Sequence, residues 1–82
     1  MRVRVYSTPT CPYCKMAKTF LDGKGVAYDD LDVSADARAR DEMMKRSGQM
    51  GVPVIEIDGE MIIGFDKERI AAMLESKPGE AI

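Results

Sequence analysis

Histidine is absent from this chain of 82 residues, and cysteine occurs only twice. Without histidine there is no Ser-His or Cys-His pair, which removes most hydrolase mechanisms that rest on an activated nucleophile. Zinc takes four nitrogen or sulfur ligands, and two cysteines supply half a set. No stretch is apolar for long enough to form the core of a signal peptide or to span a bilayer, so a cytoplasmic location without a membrane partner is expected. In that reducing compartment a lone cysteine pair stands as a dithiol until a substrate oxidises it. The net charge is −2, from 12 basic and 14 acidic residues with both signs spread along the chain. There is no basic footprint for nucleic acid and no tail of like charge. Repeats and low-complexity segments are missing too.

Hydrophobic residues make up 45% of the chain and charged residues 32%. That balance, at this length, reads as one folded domain over residues 1–82 with a core of its own. Seven methionines are many for the length, and core filling explains them more economically than a binding groove.

The two cysteines lie three positions apart, in Thr10-Cys11-Pro12-Tyr13-Cys14. They could be ordinary buried hydrophobes, half of a zinc site, or a staple. A staple closing so small a loop adds little stability. A fourth reading is chemical. Proline is favoured at the first helical position, which makes Pro12 the first residue of a helix and Cys11 its N-cap. The amides of Tyr13 and Cys14 then point back toward the Cys11 sulfur. They and the helix dipole favour a thiolate there, with Lys15 one turn on as a further cation. Cys14, one turn along the same face, is placed to close a disulfide. A nucleophilic thiol beside a resolving thiol performs disulfide exchange.

The remaining pattern is a strand over residues 2–6, with Val3 and Val5 on one face. Arg2, Arg4 and Tyr6 share the other, whose opening end is expected to be wet. The helix from Pro12 carries Cys14, Ala17, Phe20 and Leu21 on one side and ends at Gly23 and Gly25. Residues 26–33 read as a second strand, whose three aspartates mark a sheet edge. Strand, helix and strand form a βαβ unit with parallel strands. Ser34 is the expected N-cap of a second helix, roughly 35–46, which ends before Ser47-Gly48. Residues 52–57 form a third strand, opened by Pro53. Asp58-Gly59 is a hairpin turn into a fourth strand over residues 60–63. Asp66 is the expected cap of a last helix, with Ile70, Met73 and Leu74 in one stripe. Residues 76–82 are expected to fray. With the hairpin on the far side of the first strand, the sheet is four-stranded and mixed, with helices on both faces.

Three segments of this chain resemble the glutaredoxin family. Tyr6 through Lys18, with Cys-Pro-Tyr-Cys inside, is similar to its active-site segment. Gly51-Val52-Pro53 is similar to its Thr-Val-Pro motif, apart from the first residue. Gly64-Phe65-Asp66 falls where the family carries Gly-Gly, a cysteine and two aspartates. The resemblance implies a thioredoxin-like α/β fold and a thiol–disulfide oxidoreductase acting on protein disulfides or mixed disulfides. It implies that Cys11 attacks and Cys14 resolves. Pro53 would be a cis proline beside the cysteines, with the Val52 backbone pairing to substrate as an added strand. Tyr13 would flank the bound thiol, and Gly64 and Asp66 would complete the substrate site. No tightly bound cofactor is expected, glutathione is a candidate cosubstrate, and the chain is expected to be a monomer.

The departures bear on the electron donor. Where the family has a lysine in the loop before the first cysteine, this chain has Thr8. Lys67 replaces the second aspartate, and Ile63 the first glycine. Phe65 after Gly64 is more similar to the redoxins that serve ribonucleotide reductase and are recharged by thioredoxin reductase. Two partners therefore stand as reductant: glutathione, or a flavoprotein of the thioredoxin-reductase type. Two other functions compete with exchange. One is a module holding an iron–sulfur cluster between two chains through Cys11 of each. The other is a non-catalytic thioredoxin-fold interaction domain.

Overall fold

The computed structural model describes residues 2–75. Four strands and three helices alternate as β1 (Val3–Ser7), α1 (Pro12–Gly23), β2 (Asp29–Asp32), α2 (Ala37–Ser47), β3 (Val54–Ile57), β4 (Glu60–Ile63) and α3 (Lys67–Glu75). The sheet order is β2-β1-β3-β4, with β1 and β2 parallel and the other two pairs antiparallel. This is the mixed four-stranded sheet that the pattern implies, and the acid-rich β2 is at its edge.

The alternation along β1 separates two cores. Val3 and Val5 face α1 and α3, in a cluster with Ala17, Leu21, Ile55, Ile57, Ile62, Ile70 and Met73. Tyr6 faces α2, in a second cluster with Val33, Ala39, Met43 and Val54. Each fully buried aliphatic side chain contributes about 1.5–3 kcal/mol.

The second face of β1 is wet only at its opening end, where Arg2 is exposed, and it closes toward Tyr6. Tyr6 is fully buried, and its hydroxyl donates to Glu42 Oε1 (2.9 Å) and to Glu56 Oε1 (3.3 Å). Arg4 Nη1 bonds Glu42 Oε1 at 2.9 Å, and Arg46 Nη1 bonds Glu56 Oε2 at 2.9 Å. Glu56 is an acid in the strand interior, only 6% exposed, held between two arginines. The network joins β1, β3 and α2. Its members lie up to 52 residues apart, from Arg4 to Glu56, beyond the reach of any local pattern.

Three boundaries differ from expectation. Residues 26–28 are not strand, because the Val26 amide is taken by the Leu21 carbonyl at the end of α1 (3.1 Å). Ser34 does not cap α2: its amide and hydroxyl bond the Asp32 carboxylate in a tight turn. Asp36 is the N-cap instead, accepting from the Ala39 amide at 3.1 Å, and the helix starts at Ala37. Both residue types cap well, and the turn at Asp32 engages the serine first. Pro53 precedes β3 rather than opening it.

Other expectations hold. Asp58 and Gly59 both have positive φ, 49° and 91°, as a two-residue hairpin of this kind requires. Asp66 Oδ1 accepts from the Arg69 amide at 3.2 Å and so caps α3. The segment expected to fray, residues 76–82, lies outside the described residues.

Candidate active site

Strand register gathers three separate segments at one end of the sheet. Tyr6 pairs with Val54 and Val54 with Ile63, so the chain leaving β1, entering β3 and leaving β4 meets there. These are the loop to Cys11, the Val52–Pro53 step, and Gly64-Phe65-Asp66. The Val52–Pro53 peptide bond is cis. The Gly64 amide donates to the Pro53 carbonyl at 2.8 Å, with Gly64 at φ +79°, a conformation costly for residues with a side chain. Pro53 is buried, Val52 half-buried, and Asp66 exposed.

At the head of α1, Pro12 is the first helical residue and Cys11 the N-cap, in extended conformation. Of the two amides expected near the Cys11 sulfur, that of Cys14 donates to it, at 3.2 Å. The Cys11 amide in turn bonds the Thr8 carbonyl at 3.4 Å, which holds the loop against the cap. Both cysteines are free thiols, yet their surroundings differ. Cys11 is half-buried, while Cys14 has no exposed surface. Burial pushes the Cys14 thiol up to about 11 from an ordinary 9.0, with help from its hydrogen bond to Cys11. The Thr8 backbone and the Lys18 ammonium act in the opposite sense without overcoming burial. One thiol is therefore reachable and the other protected. A single chain offers one accessible thiol to any cluster, and the described residues contain no group of three or more metal-ligating side chains.

Beside Cys14 the sequence reading missed a polar chain. Lys18, one turn further along α1, bonds Asp30 Oδ2 through its ammonium at 3.0 Å, and the buried Ser7 hydroxyl donates to Asp30 Oδ1 at 2.8 Å. The spacing from Cys14 to Lys18 was visible in the sequence, whereas Asp30 arrives only through the parallel pairing of β2 on β1.

Tyr13 is 62% exposed beside the cysteines. On the flank of α1, a groove of about 460 Å³ is lined by Lys15, Met16, Thr19, Phe20, Phe65 and Lys67. Phe20 and Phe65 meet edge to face, with centroids 6.1 Å apart. Phe65 is thus packed on α1 and partly on the core, a placement that the motif comparison alone did not give.

The glutaredoxin family model matches residues 3–62. A glutaredoxin-like 8.6 kDa protein of the rubredoxin operon of Clostridium pasteurianum is 47% identical over 73 residues, covering 89% of this chain and 97% of the relative. Glutaredoxin 3 of Escherichia coli K12 is 47% identical over 64 residues, covering 78% of this chain and 77% of its own. Among solved structures, the T8A variant of the thioredoxin-like protein BC3987 superposes with a TM-score of 0.85 at 37% identity, covering 89% of this chain and 99% of that one. The two cysteines at the head of α1, the thioredoxin-like sheet and these matches agree: the chain belongs to the glutaredoxin family.

Proposed function

We propose that this chain is a dithiol oxidoreductase for protein disulfides, with Cys11 as nucleophile and Cys14 as resolving thiol. The observation that carries the reading is the asymmetry of the pair. The Cys11 sulfur sits at a helix N-terminus and accepts the Cys14 amide at 3.2 Å, while Cys14 itself is buried. A hydrogen bond donated to sulfur, with the helix dipole, stabilises negative charge there.

The chemistry then runs in two displacements. The Cys11 thiolate attacks one sulfur of a substrate disulfide, forms a mixed disulfide, and releases the other half as a thiolate. Cys14 loses its proton to water and attacks the Cys11 sulfur. The substrate leaves as its second thiolate and a Cys11–Cys14 disulfide remains. Two electrons have moved to the substrate, and a reductant must return them.

For the substrate we assign Tyr13 to the rim, the Val52 backbone to strand-like pairing, and Pro53 and Gly64 to holding that backbone in place. Asp66 is the carboxylate left to meet an ammonium, although its Oδ1 is already engaged with the Arg69 amide. For the reductant we favour a flavoprotein of the thioredoxin-reductase type over glutathione. Thr8 cannot offer the cation that glutathione's carboxylate would meet, and Lys67 places an ammonium where an acid would meet glutathione's own. The test measures turnover of hydroxyethyl disulfide with glutathione and glutathione reductase, and separately with thioredoxin reductase alone. Faster turnover with the flavoprotein is expected. Turnover with millimolar glutathione equal to that of glutaredoxin 3 assayed alongside would remove the donor assignment, and none with either system would remove the exchange reaction.

A further inference from the structure

The groove on the flank of α1 is not needed for the exchange step, and its composition is unusual for this molecule. Its floor is aromatic and aliphatic: Phe20 and Phe65 edge to face, with Met16 49% exposed beside them. Its rim is cationic. Lys15 comes from α1 and Lys67 from α3, and the Lys67 ammonium stands 5.8 Å from the Phe20 ring centre. Lys24 approaches the same ring at 5.5 Å. Among the described residues, none of these three lysines has a carboxylate within ion-pair distance, whereas Arg4, Lys18 and Arg46 all do. On a chain of net charge −2, three unmatched cations around one aromatic pair define a local field of opposite sign.

We propose that this groove docks an acidic, apolar segment of the disulfide-bearing protein substrate, next to the cysteine that Cys11 attacks. The proposal rests on the exchange reaction assigned above and extends it to substrate choice. Apolar side chains of the segment lie on Phe20, Phe65 and Met16, and its carboxylates meet Lys15 and Lys67. The position sets a spacing. The groove residues on α1 run from four to nine positions after Cys11, or about 6–14 Å along the helix axis at 1.5 Å per residue. An extended segment advances about 3.3 Å per residue, so the docking side chains lie roughly two to four residues from the substrate cysteine.

The test uses the full chain, reduced, in single-turnover reactions without any other reductant. The probes are three ten-residue peptides, each with one cysteine capped as a mixed disulfide with 2-mercaptoethanol. The first carries leucine and phenylalanine with two glutamates, two to four residues from the cysteine. The second has lysines for the glutamates, and the third has serines for the apolar pair. Hydroxyethyl disulfide, too small to reach the groove, is the control. At low ionic strength the first peptide is expected to react about tenfold faster than the second, from two surface charge contacts of roughly two- to fivefold each. Added salt should narrow the gap. The third peptide should also be slower than the first. Lys67→Glu should abolish or invert the preference, read as the ratio of each peptide's rate to the control rate in the same variant. Equal rates for the first two peptides, or a preference that survives Lys67→Glu, would overturn the docking site while leaving the exchange reaction standing. Loss of the control reaction in the unaltered chain would remove both. Sedimentation showing a dimer that Lys67→Glu dissociates would assign the groove to a second copy, and would also overturn the proposal.

Discussion

The amide of Cys14 donates to the sulfur of Cys11 at 3.2 Å, so the residue proposed to resolve supports the proposed nucleophile through its backbone while its own thiol stays buried. The proposed division of labour between the two cysteines rests on this one relationship. It also fixes which of them a soluble reagent meets first. Iodoacetamide at neutral pH should alkylate Cys11 at least tenfold faster than Cys14, read by peptide mass spectrometry at partial modification. Comparable labelling of the two would show that the asymmetry is lost in solution.

The buried thiol also makes stability depend on pH. The folded Cys14 thiol titrates at about 11, above its ordinary 9.0, so between those values the native state holds a proton that the unfolded chain has released. Stability from this group is complete below about pH 9 and is lost as pH rises through the folded value. The difference corresponds to roughly 3 kcal/mol at most. Denaturant unfolding at pH 8 and pH 11 should therefore show a larger loss for the parent chain than for Cys14→Ala. In Cys11→Ser, thiolate absorbance near 240 nm should rise with a midpoint above 9. Lys18→Met should raise that midpoint further, because the ammonium favours the thiolate. A midpoint at or below 9 would contradict the burial argument.

The network around Glu56 should carry stability rather than chemistry. Glu56→Ala removes the buried carboxylate that Arg4 and Arg46 share and leaves both to the half-exposed Glu42, and a cost of about 1.5–3 kcal/mol is expected. Tyr6→Phe removes one hydroxyl from two acceptors and should cost about 1 kcal/mol. Urea unfolding measures both. Reduction of hydroxyethyl disulfide at 25 °C should be unchanged in Tyr6→Phe, which separates this network from the thiol site.

The donor assignment can be reversed by substitution. Thr8→Lys with Lys67→Asp restores one cation and one acid for glutathione. Each partly buried charged contact is worth about 1.5–3 kcal/mol, so glutathione-dependent turnover should rise tenfold or more. A double variant that gains nothing would show that these two positions do not set the choice.

Much of this was legible in the sequence because the signals are local. Proline at the first helical position located the head of α1, Asp58-Gly59 located the hairpin, and the aspartates of β2 marked the edge. The Val3 and Val5 side of the sheet followed from alternation along β1, whereas the core around Tyr6 did not. What escaped depends on pairing between distant segments. Glu56 reads as one more polar residue until α2 brings Arg46 and Glu42 to it. Asp30 reads as edge charge until register sets it beside Ser7 and Lys18. Ser34 reads as the cap of α2 until the Asp32 carboxylate takes its amide and hydroxyl, which leaves the cap to Asp36. The site lay between these cases: its three segments were readable one by one, and only strand register brings them to one end of the sheet.

The division of roles between the cysteines is tested most directly by trapping. Cys14→Ser and Cys11→Ser, each reduced, are mixed with a peptide carrying an intramolecular disulfide, and the products are resolved by intact-mass spectrometry under acid quench. Cys14→Ser should accumulate a covalent adduct of one peptide through Cys11, since nothing within the chain resolves it. Cys11→Ser should form no adduct on the same timescale, and the unaltered chain should pass to its internal disulfide with the peptide released reduced. An adduct on Cys14 in the Cys11→Ser variant, forming as fast as the adduct on Cys11, would contradict the assignment.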